Sequence, residues 1–255
     1  MSLFSVALIF VWIISGLLIL AFLALDIDPV FRLYYSNILQ IVSAMLGALF
    51  CYRTALVLPN ANPMRTVWWL FGTALFAWGA GAVMFSTYPL LNDGQETPFP
   101  YYSDIGYLSL IPFAVSALLL FKKNLGVVSP LWGKILAVIF FIGGLYISVM
   151  ANWNGLFSEG FFLPLVSACY MLFDPILLMT VMLVASGLSG GVASSSAWFI
   201  MIGLVLYFIG DQAYTYLVFT KQYASGSPID IFWVLGFAMI AVAAMLTHAL
   251  FKGYR

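Results

Sequence analysis

The stretch SDIGYLSLIPFAVSALLLFKK, residues 103–123, decides the fold of this chain. An uncharged and mostly apolar run separates Asp104 from the Lys122 and Lys123 pair. Crossing the hydrocarbon core of a bilayer as a helix takes about 20 such residues. Lysines favour the cytoplasmic side of a membrane, so the charges also predict a direction of crossing. The stretch therefore predicts a transmembrane helix whose lysine end faces the cytoplasm.

The whole composition agrees with this interpretation. The chain is 64% hydrophobic and 7% charged, against about 25% charged in soluble domains, and its mean hydropathy is +1.09. We therefore predict an all-α integral membrane protein, with residues 1–255 forming a single membrane domain. Joints rich in Gly, Pro, Asn and Ser, among them NWNG (152–155) and SGGVASSS (189–196), divide the apolar sequence. They predict eight transmembrane helices, at 3–25, 33–57, 66–90, 102–121, 132–151, 161–187, 197–219 and 231–251.

The charges alternate from one joint to the next. One set of joints, with the C-terminal tail, carries the cations Arg53, Arg65, Lys122, Lys123, Lys134, Lys252 and Arg255. The other set carries Asp26, Asp28, Asp93, Glu96, Asp104, Glu159 and Asp230, with only Arg32 and Lys221 as cations. The positive-inside rule then predicts a multi-pass protein of the cell membrane with both termini cytoplasmic. These cations are explained as topology determinants, so no nucleic-acid partner is expected.

The two halves of the sequence resemble each other. GTALFAWGAGAVMF (72–85) matches GLVLYFIGDQAYTY (203–216) at two glycines, a leucine and an alanine, and Asp104-Ile105 matches Asp230-Ile231. A parallel four-plus-four repeat is predicted, with a first repeat at about 1–122, a second at about 131–252, and a cleft between them. At the position of Asp211 the first half has Ala80, and at the position of Asp174 it has Phe50.

Asp174 and Asp211 are the principal candidates for function. A carboxylate inside the hydrocarbon costs about 2.5–3.5 kcal/mol on the mildest scale, and the sequence places Asp174 near mid-membrane and Asp211 nearer the acid-rich side. The two helices are adjacent in sequence, so the two acids are expected to approach each other. Pro175 frees a backbone carbonyl beside Asp174. At least one acid is expected to be protonated and to donate a hydrogen bond, with a shared proton or a bound monovalent cation as the alternative.

Polar neighbours extend this candidate site. Gln212 follows Asp211, and Tyr207 and Tyr214 share its general helix face. These residues either bind a ligand, a proton or an ion, or they hold two helices together. Asp104 and Asp230 differ, because each begins a predicted helix after a turn, where a carboxylate satisfies free amides and complements the helix dipole. We predict that both are helix caps.

Several kinds of chemistry are not expected. His248 is the single histidine, which excludes bis-histidine haem ligation within the chain and makes a metal cluster unexpected. Every lysine is predicted at a helix end or in a joint, which argues against a covalent retinal. Trp78 and Trp233 are placed deeper than the other tryptophans, but nothing specific indicates a cofactor between them. The sequence shows no phosphate-binding loop and no catalytic triad, so enzymatic activity is not expected.

Three segments carry a resemblance to a known family: FPYYSDIGYLSLIPFAVSALLL (99–120), YFIGDQAYTYL (207–217) and GSPIDIFWVLGFAMIAVAAML (226–246). They resemble the N-terminal multi-helix membrane sensor modules of bacterial signalling proteins that carry diguanylate cyclase, phosphodiesterase or histidine kinase domains. The resemblance implies an inner-membrane module with a cytoplasmic output domain. The sequence departs from the pattern at Gly79-Ala80, and it ends at Arg255 where the output domain would follow. We expect either a relative that acts through a partner or a fragment.

Three hypotheses follow. The first is a non-catalytic sensor or scaffold module, which would couple to a partner protein or to a second copy by helix packing. The second is a small proton- or cation-coupled transporter that uses Asp174 and Asp211. The third is an accessory subunit of a larger membrane complex.

Overall fold

The computed structural model describes residues 3–188 and 192–252, and these residues form eight α-helices. All eight are long and apolar enough to cross a membrane. The predicted all-α membrane class with eight spans is therefore confirmed, and the chain is a multi-pass membrane protein. The helices are α1 (Leu3–Ala24), α2 (Pro29–Val57), α3 (Met64–Leu91), α4 (Ser103–Asn124), α5 (Leu131–Leu156), α6 (Phe162–Ala185), α7 (Val192–Phe219) and α8 (Asp230–Lys252).

Helix α2 begins four residues earlier than its apolar run because its N-terminus is capped. The Asp28 carboxylate accepts a 2.9 Å hydrogen bond from the amide of Phe31, and Pro29 occupies the first turn, where its missing N–H costs nothing. This cap stops α1 and α2 from merging, since only residues 25–28 connect them.

One predicted joint is wrong and another is partly helical. NWNG (152–155) lies wholly within the end of α5, where the side-chain amide of Asn152 donates to the Ser148 carbonyl at 3.0 Å and Gly155 packs closely on Ser167. Of the second joint, SGGVASSS (189–196), Ser194, Ser195 and Ser196 lie in the first turns of α7, where Ser196 accepts a 3.1 Å hydrogen bond from Thr247 of α8. Residues 189–191 of that joint lie outside the described residues.

Six of the helices form a closed ring. Going round it, α2 contacts α3, α3 contacts α4, α4 contacts α6, α6 contacts α7, α7 contacts α8, and α8 returns to α2. We call these six helices the helix ring. Helix α1 packs outside it on α8 and α2, and α5 packs outside it on α6 and α7. Accordingly, α1 and α5 are the least buried of the eight helices.

Glycines bring two helix pairs of the ring into backbone contact. A Cβ atom on Gly106 of α4 would lie 2.6 Å from the Ala77 carbonyl oxygen of α3. Likewise, a Cβ on Gly203 of α7 would lie 2.5 Å from the Gly236 carbonyl oxygen of α8. Small residues of this kind let membrane helices pack closely without a hydrophobic driving force between them.

Charged residues in the connections and in the adjoining helix turns mark the two ends of the bundle. Most of the acids lie in four connections at one end, which we call the acidic end. These connections are residues 25–28, 92–102, 157–161 and 220–229. Glu96 of one connection accepts hydrogen bonds from Ser225 of another at this end, from its amide at 2.9 Å and its hydroxyl at 2.8 Å. The opposite end, which we call the basic end, carries residues 58–63 and 125–130.

Candidate functional site

A cavity lies inside the helix ring toward the acidic end. The centre of a water molecule can occupy about 20 Å³ within it, which is enough space for one or two waters. Every helix of the ring contributes a side chain to its wall, and the connection between α7 and α8 contributes one more. The lining residues are Gln40, Trp78, Phe85, Tyr107, Tyr170, Asp211, Tyr214, Tyr223 and Trp233.

Gly210, Asp211 and Trp233 form one structural unit in the cavity wall. The Trp233 indole N–H donates a 2.7 Å hydrogen bond to Oδ1 of Asp211. The indole lies directly on Gly210, where a Cβ would be 2.9 Å from Trp233 Nε1. Asp211 is only 5% exposed, and its Oδ2 has no hydrogen-bond partner. In the Gly-Asp pair, glycine therefore makes room for the indole ring, and aspartate accepts a hydrogen bond from its N–H.

Asp104 has a partner on another helix in addition to a local one. The carboxylate lies in the first turn of α4 and accepts a 2.7 Å hydrogen bond from the amide of Tyr101, in the connection just before the helix. It also accepts a 2.8 Å hydrogen bond from the hydroxyl of Tyr170 on α6. The bond from Tyr101 lies at the helix start, where the sequence predicted a cap. No local feature of the sequence predicts the bond from Tyr170 of α6.

Asp230 repeats this arrangement at the start of α8. It accepts hydrogen bonds from the amide of Gly226 at 2.7 Å, the Ser36 hydroxyl at 2.6 Å and the Tyr223 hydroxyl at 3.2 Å. Ser36 lies on α2 and in turn accepts a 3.1 Å hydrogen bond from the side-chain amide of Gln40. Asp230 thus joins α8, α2 and the intervening connection, in addition to its position at a helix start.

Three buried carboxylates therefore orient three aromatic side chains of the cavity wall. Tyr170 donates to Asp104, Tyr223 donates to Asp230, and Trp233 donates to Asp211. Each aromatic side chain donates a hydrogen bond to a carboxylate, which holds the side chain in a fixed orientation.

Asp174 belongs to a different polar cluster, beside the ring. Its Oδ2 accepts a 2.6 Å hydrogen bond from the Gln212 side chain, whose Oε1 accepts from Ser148 of α5 at 3.0 Å. Asp174 is fully buried and its Oδ1 has no hydrogen-bond partner. It is close enough to Asp211 to interact electrostatically. The two predicted acids are thus neighbours, but Gln212 contacts Asp174 while Asp211 faces the cavity.

The two candidate tyrosines also lie in different places, one in the cavity wall and one outside it. Tyr214 lines the cavity, with its ring centroid 5.7 Å from that of Trp233. Tyr207 is fully buried outside the lining, with its ring centroid 6.3 Å from that of Phe237. Its hydroxyl approaches the Asp211 carboxyl group but makes no hydrogen bond of good geometry.

Two connections cover the cavity at the acidic end. From the first, the ring of Phe99 contacts Tyr170 and Tyr214, each with a centroid distance of 6.1 Å. From the second, Tyr223 contacts Tyr214 at 4.7 Å. The Glu96 to Ser225 hydrogen bonds tie the two connections together. We call residues 92–102 and 220–229 the lid.

Sequence reasoning did not select most of the cavity wall. Aromatic residues are abundant in this chain, at 18%, and they occur in membrane interfaces for general reasons. The one available signal was the placement of Trp78 and Trp233 away from the predicted interfaces. The residues that were not selected are Gln40, Phe85, Tyr107, Tyr170 and Tyr223.

Comparisons with known proteins leave the site to be interpreted on its own geometry. No protein-family model matches the sequence, and no curated protein or solved structure shows significant similarity to it.

Proposed function

We propose that this protein is a non-catalytic membrane sensor module, in which a small ligand in the central cavity alters the packing of the helix ring and a partner protein detects the change. The observation that carries the proposal is the cavity wall, to which all six ring helices contribute. A ligand can bias a conformational equilibrium only through contacts that differ between the states. A ligand in this position contacts every helix whose packing would have to change.

The internal repeat is part of the proposal, and the helix contacts support it. A parallel repeat pairs α2 with α6, α3 with α7 and α4 with α8. Under this pairing the contact of α2 with α8 corresponds to that of α6 with α4, and α3 with α4 corresponds to α7 with α8. Helices α1 and α5 depart from the symmetry, since α1 packs on α8 and α2 whereas α5 packs on α6 and α7. In the proposed architecture the cavity lies between two related halves.

We further propose that the lid faces the outside of a cell membrane and that both termini face the cytoplasm. The segregation of acids to one end of the bundle and of most cations to the other supports this orientation. A ligand would then reach the cavity through the lid, and the partner, either another protein or a second copy, would contact the basic end.

Site-specific photo-crosslinking in native membranes tests the coupling to a partner. Val128 at the basic end and Leu91 at the acidic end are suitable positions, because their side chains are 81% and 82% exposed. A photoreactive residue at 128 is expected to capture a defined protein or a second copy, and one at 91 is not. Trp78→Phe, which alters the cavity wall, is expected to change the yield at 128 by at least twofold. No capture at 128, or a yield indifferent to Trp78→Phe, would overturn the proposal.

A transporter is the second candidate, and the cluster around Asp174 favours it. The hydrogen-bonded chain from Ser148 through Gln212 to Asp174 is buried within the membrane and sits beside Asp211. Chains of this kind occur on proton and ion pathways. If it serves transport, purified protein in liposomes should support proton or cation flux, and Asp174→Asn should abolish that flux. A wild-type protein without flux eliminates this candidate.

A further inference from the structure

We infer that the cavity binds a small ammonium-type cation, of the size of ammonium or methylammonium, with Asp211 as its counter-ion and the rings of Trp78 and Trp233 as its aromatic partners. The inference rests on the proposed ligand-responsive cavity and names the chemical class of its ligand. Four features of the wall support it: charge, aromatic faces, hydrogen-bonding capacity and size.

The charge of the wall selects a cation. Asp211 is the only acidic residue among the nine lining residues, and no lysine, arginine or histidine lines the cavity. Its Oδ1 accepts the Trp233 hydrogen bond, while Oδ2 is buried without a hydrogen bond of good geometry, although the Tyr207 hydroxyl approaches the carboxyl group. A buried carboxyl oxygen without a partner is costly, so a cation or a hydrogen-bond donor in the cavity would relieve that cost.

The aromatic faces select an organic ammonium ion over other cations. Six of the nine lining residues are tryptophan or tyrosine. Trp78 and Trp233 lie 6.1 Å apart between ring centroids, and Tyr107 and Tyr214 adjoin them at 4.8 Å and 5.7 Å respectively. Cages of aromatic rings attract ammonium groups through the negative faces of the rings, with tryptophan the strongest partner.

The hydrogen bonds already made leave two tyrosine oxygens of the wall with capacity to accept. Tyr170 and Tyr223 use their hydroxyl protons on Asp104 and Asp230, and Trp233 uses its N–H on Asp211. A tyrosine oxygen whose proton is engaged can still accept a hydrogen bond. An ammonium ion brings only donors, so it complements these groups.

The size of the cavity argues against larger ligands, and its single carboxyl group argues against a divalent metal ion. Room for about one or two water molecules accommodates a ligand of very few heavy atoms. Among the described residues, no group of three or more His, Cys, Asp or Glu side chains is placed to hold a metal ion. Divalent metals require more oxygen ligands than one carboxylate provides.

Isothermal titration calorimetry on the full chain in lipid nanodiscs tests the inference. The titrants are methylammonium chloride, sodium chloride at equal ionic strength, and methanol as a neutral analogue of similar size. We expect saturable binding of methylammonium alone. Asp211→Asn should weaken it at least tenfold while still accepting the Trp233 hydrogen bond, and Trp78→Leu should weaken it several-fold. Trp69→Leu is the matched control for Trp78→Leu, because it removes a tryptophan of α3 that does not line the cavity, and its affinity should stay within twofold of wild type.

The outcomes distinguish this inference from the proposed function. Equal heats with sodium or methanol, or an Asp211→Asn variant that elutes and melts like wild type and binds methylammonium as tightly, would overturn the ammonium site. In that case a crosslinking yield that still responds to Trp78→Phe would leave the sensor proposal standing. Methylammonium binding with an unresponsive crosslinking yield would instead support the ammonium site and overturn the sensor proposal.

Discussion

At the scale of single residues, the glycine before Asp211 is as important as the acid itself. Trp233 crosses α7 at Gly210, and its N–H reaches Asp211 only because no side chain stands between them. In the proposed repeat, the corresponding pair of the first half is Gly79-Ala80, and there the glycine faces Met45 instead. The same glycine position thus serves packing in both halves, whereas the carboxylate and its indole partner occur in one.

We predict that Gly210→Ala destabilises the protein by about 1–3 kcal/mol, the usual cost of overpacking. The new Cβ would lie 2.9 Å from Trp233 Nε1 and would displace the indole from Asp211. Gly143→Ala is the control, because Gly143 of α5 has no neighbouring atom within 4 Å of the added Cβ, and alanine there should be neutral or stabilising. Thermal unfolding in detergent, followed by tryptophan fluorescence, measures both variants. Equal melting temperatures for the two would contradict the prediction.

At the scale of structural elements, the lid is joined to the ring by side chains near the helix starts. Asp230 connects the second lid segment to α2 through Ser36, and Asp104 connects the end of the first to α6 through Tyr170. Each lid segment is therefore tied to a helix of the opposite half of the sequence. A movement of the halves would change the lid, and opening the lid would strain the contact between the halves.

Tyr223, in the lid, makes the stability of the protein depend on pH in the alkaline range. Burial raises the pKa of its phenol well above the usual 10.0, and the nearby Asp230 carboxylate raises the pKa further. The folded protein therefore keeps this proton at pH values where the unfolded chain releases it, so the free energy of unfolding falls as pH rises above about 10. Below pH 10 both states are protonated and Tyr223 contributes no pH dependence.

We predict that Tyr223→Phe makes this alkaline loss of stability shallower. Chemical unfolding at a series of pH values from 8 to 11 gives the slope for each protein. Tyr102→Phe is a suitable control, since Tyr102 is 63% exposed and lies in the connection before α4 rather than in a membrane helix, and it should leave the slope unchanged. If the Tyr223→Phe slope equals that of wild type, the phenol titrates alike in both states and the prediction is wrong.

At the scale of the whole molecule, the helix ring places functional groups from distant parts of the chain round one cavity. Gln40 and Trp233, nearly two hundred positions apart in the numbering, line the same space. The orientation of this ring in the membrane decides which compartment the lid faces. The proposed orientation rests on the distribution of charges alone, and it can be measured directly.

We predict that a cysteine at position 95 reacts with a membrane-impermeant maleimide added outside intact cells, and that a cysteine at 128 reacts only after the membrane is opened. Both native side chains are exposed, Gln95 at the acidic end and Val128 at the basic end. The unsubstituted protein supplies the blank, because Cys51 is buried and Cys169 is only partly exposed. The reverse pattern of labelling would invert the topology.

The positions of the eight helices were predictable because a membrane helix must be continuously apolar, and its ends are marked by charge, proline and glycine. The candidate acids were predictable for the same reason, since Asp174 and Asp211 contrast sharply with their surroundings. Their separate roles were not predictable. Asp211 faces the cavity, while its neighbour Gln212 contacts Asp174, and a difference of about 100° between successive residues of a helix decides which of them faces which partner.

The sequence by itself determined that this is an eight-helix membrane protein, where its spans lie, and which acids are buried in them, because each of these properties depends on local composition and local charge. The tertiary structure alone decided that Tyr170 and Tyr223 face one cavity, that Asp104 and Asp230 hold them there, and that α1 and α5 stay outside the ring. Apolar helix surfaces can pack in many ways with similar burial. The choice among them depends on glycine contacts and on the pairing of buried polar groups, which join residues far apart in the chain.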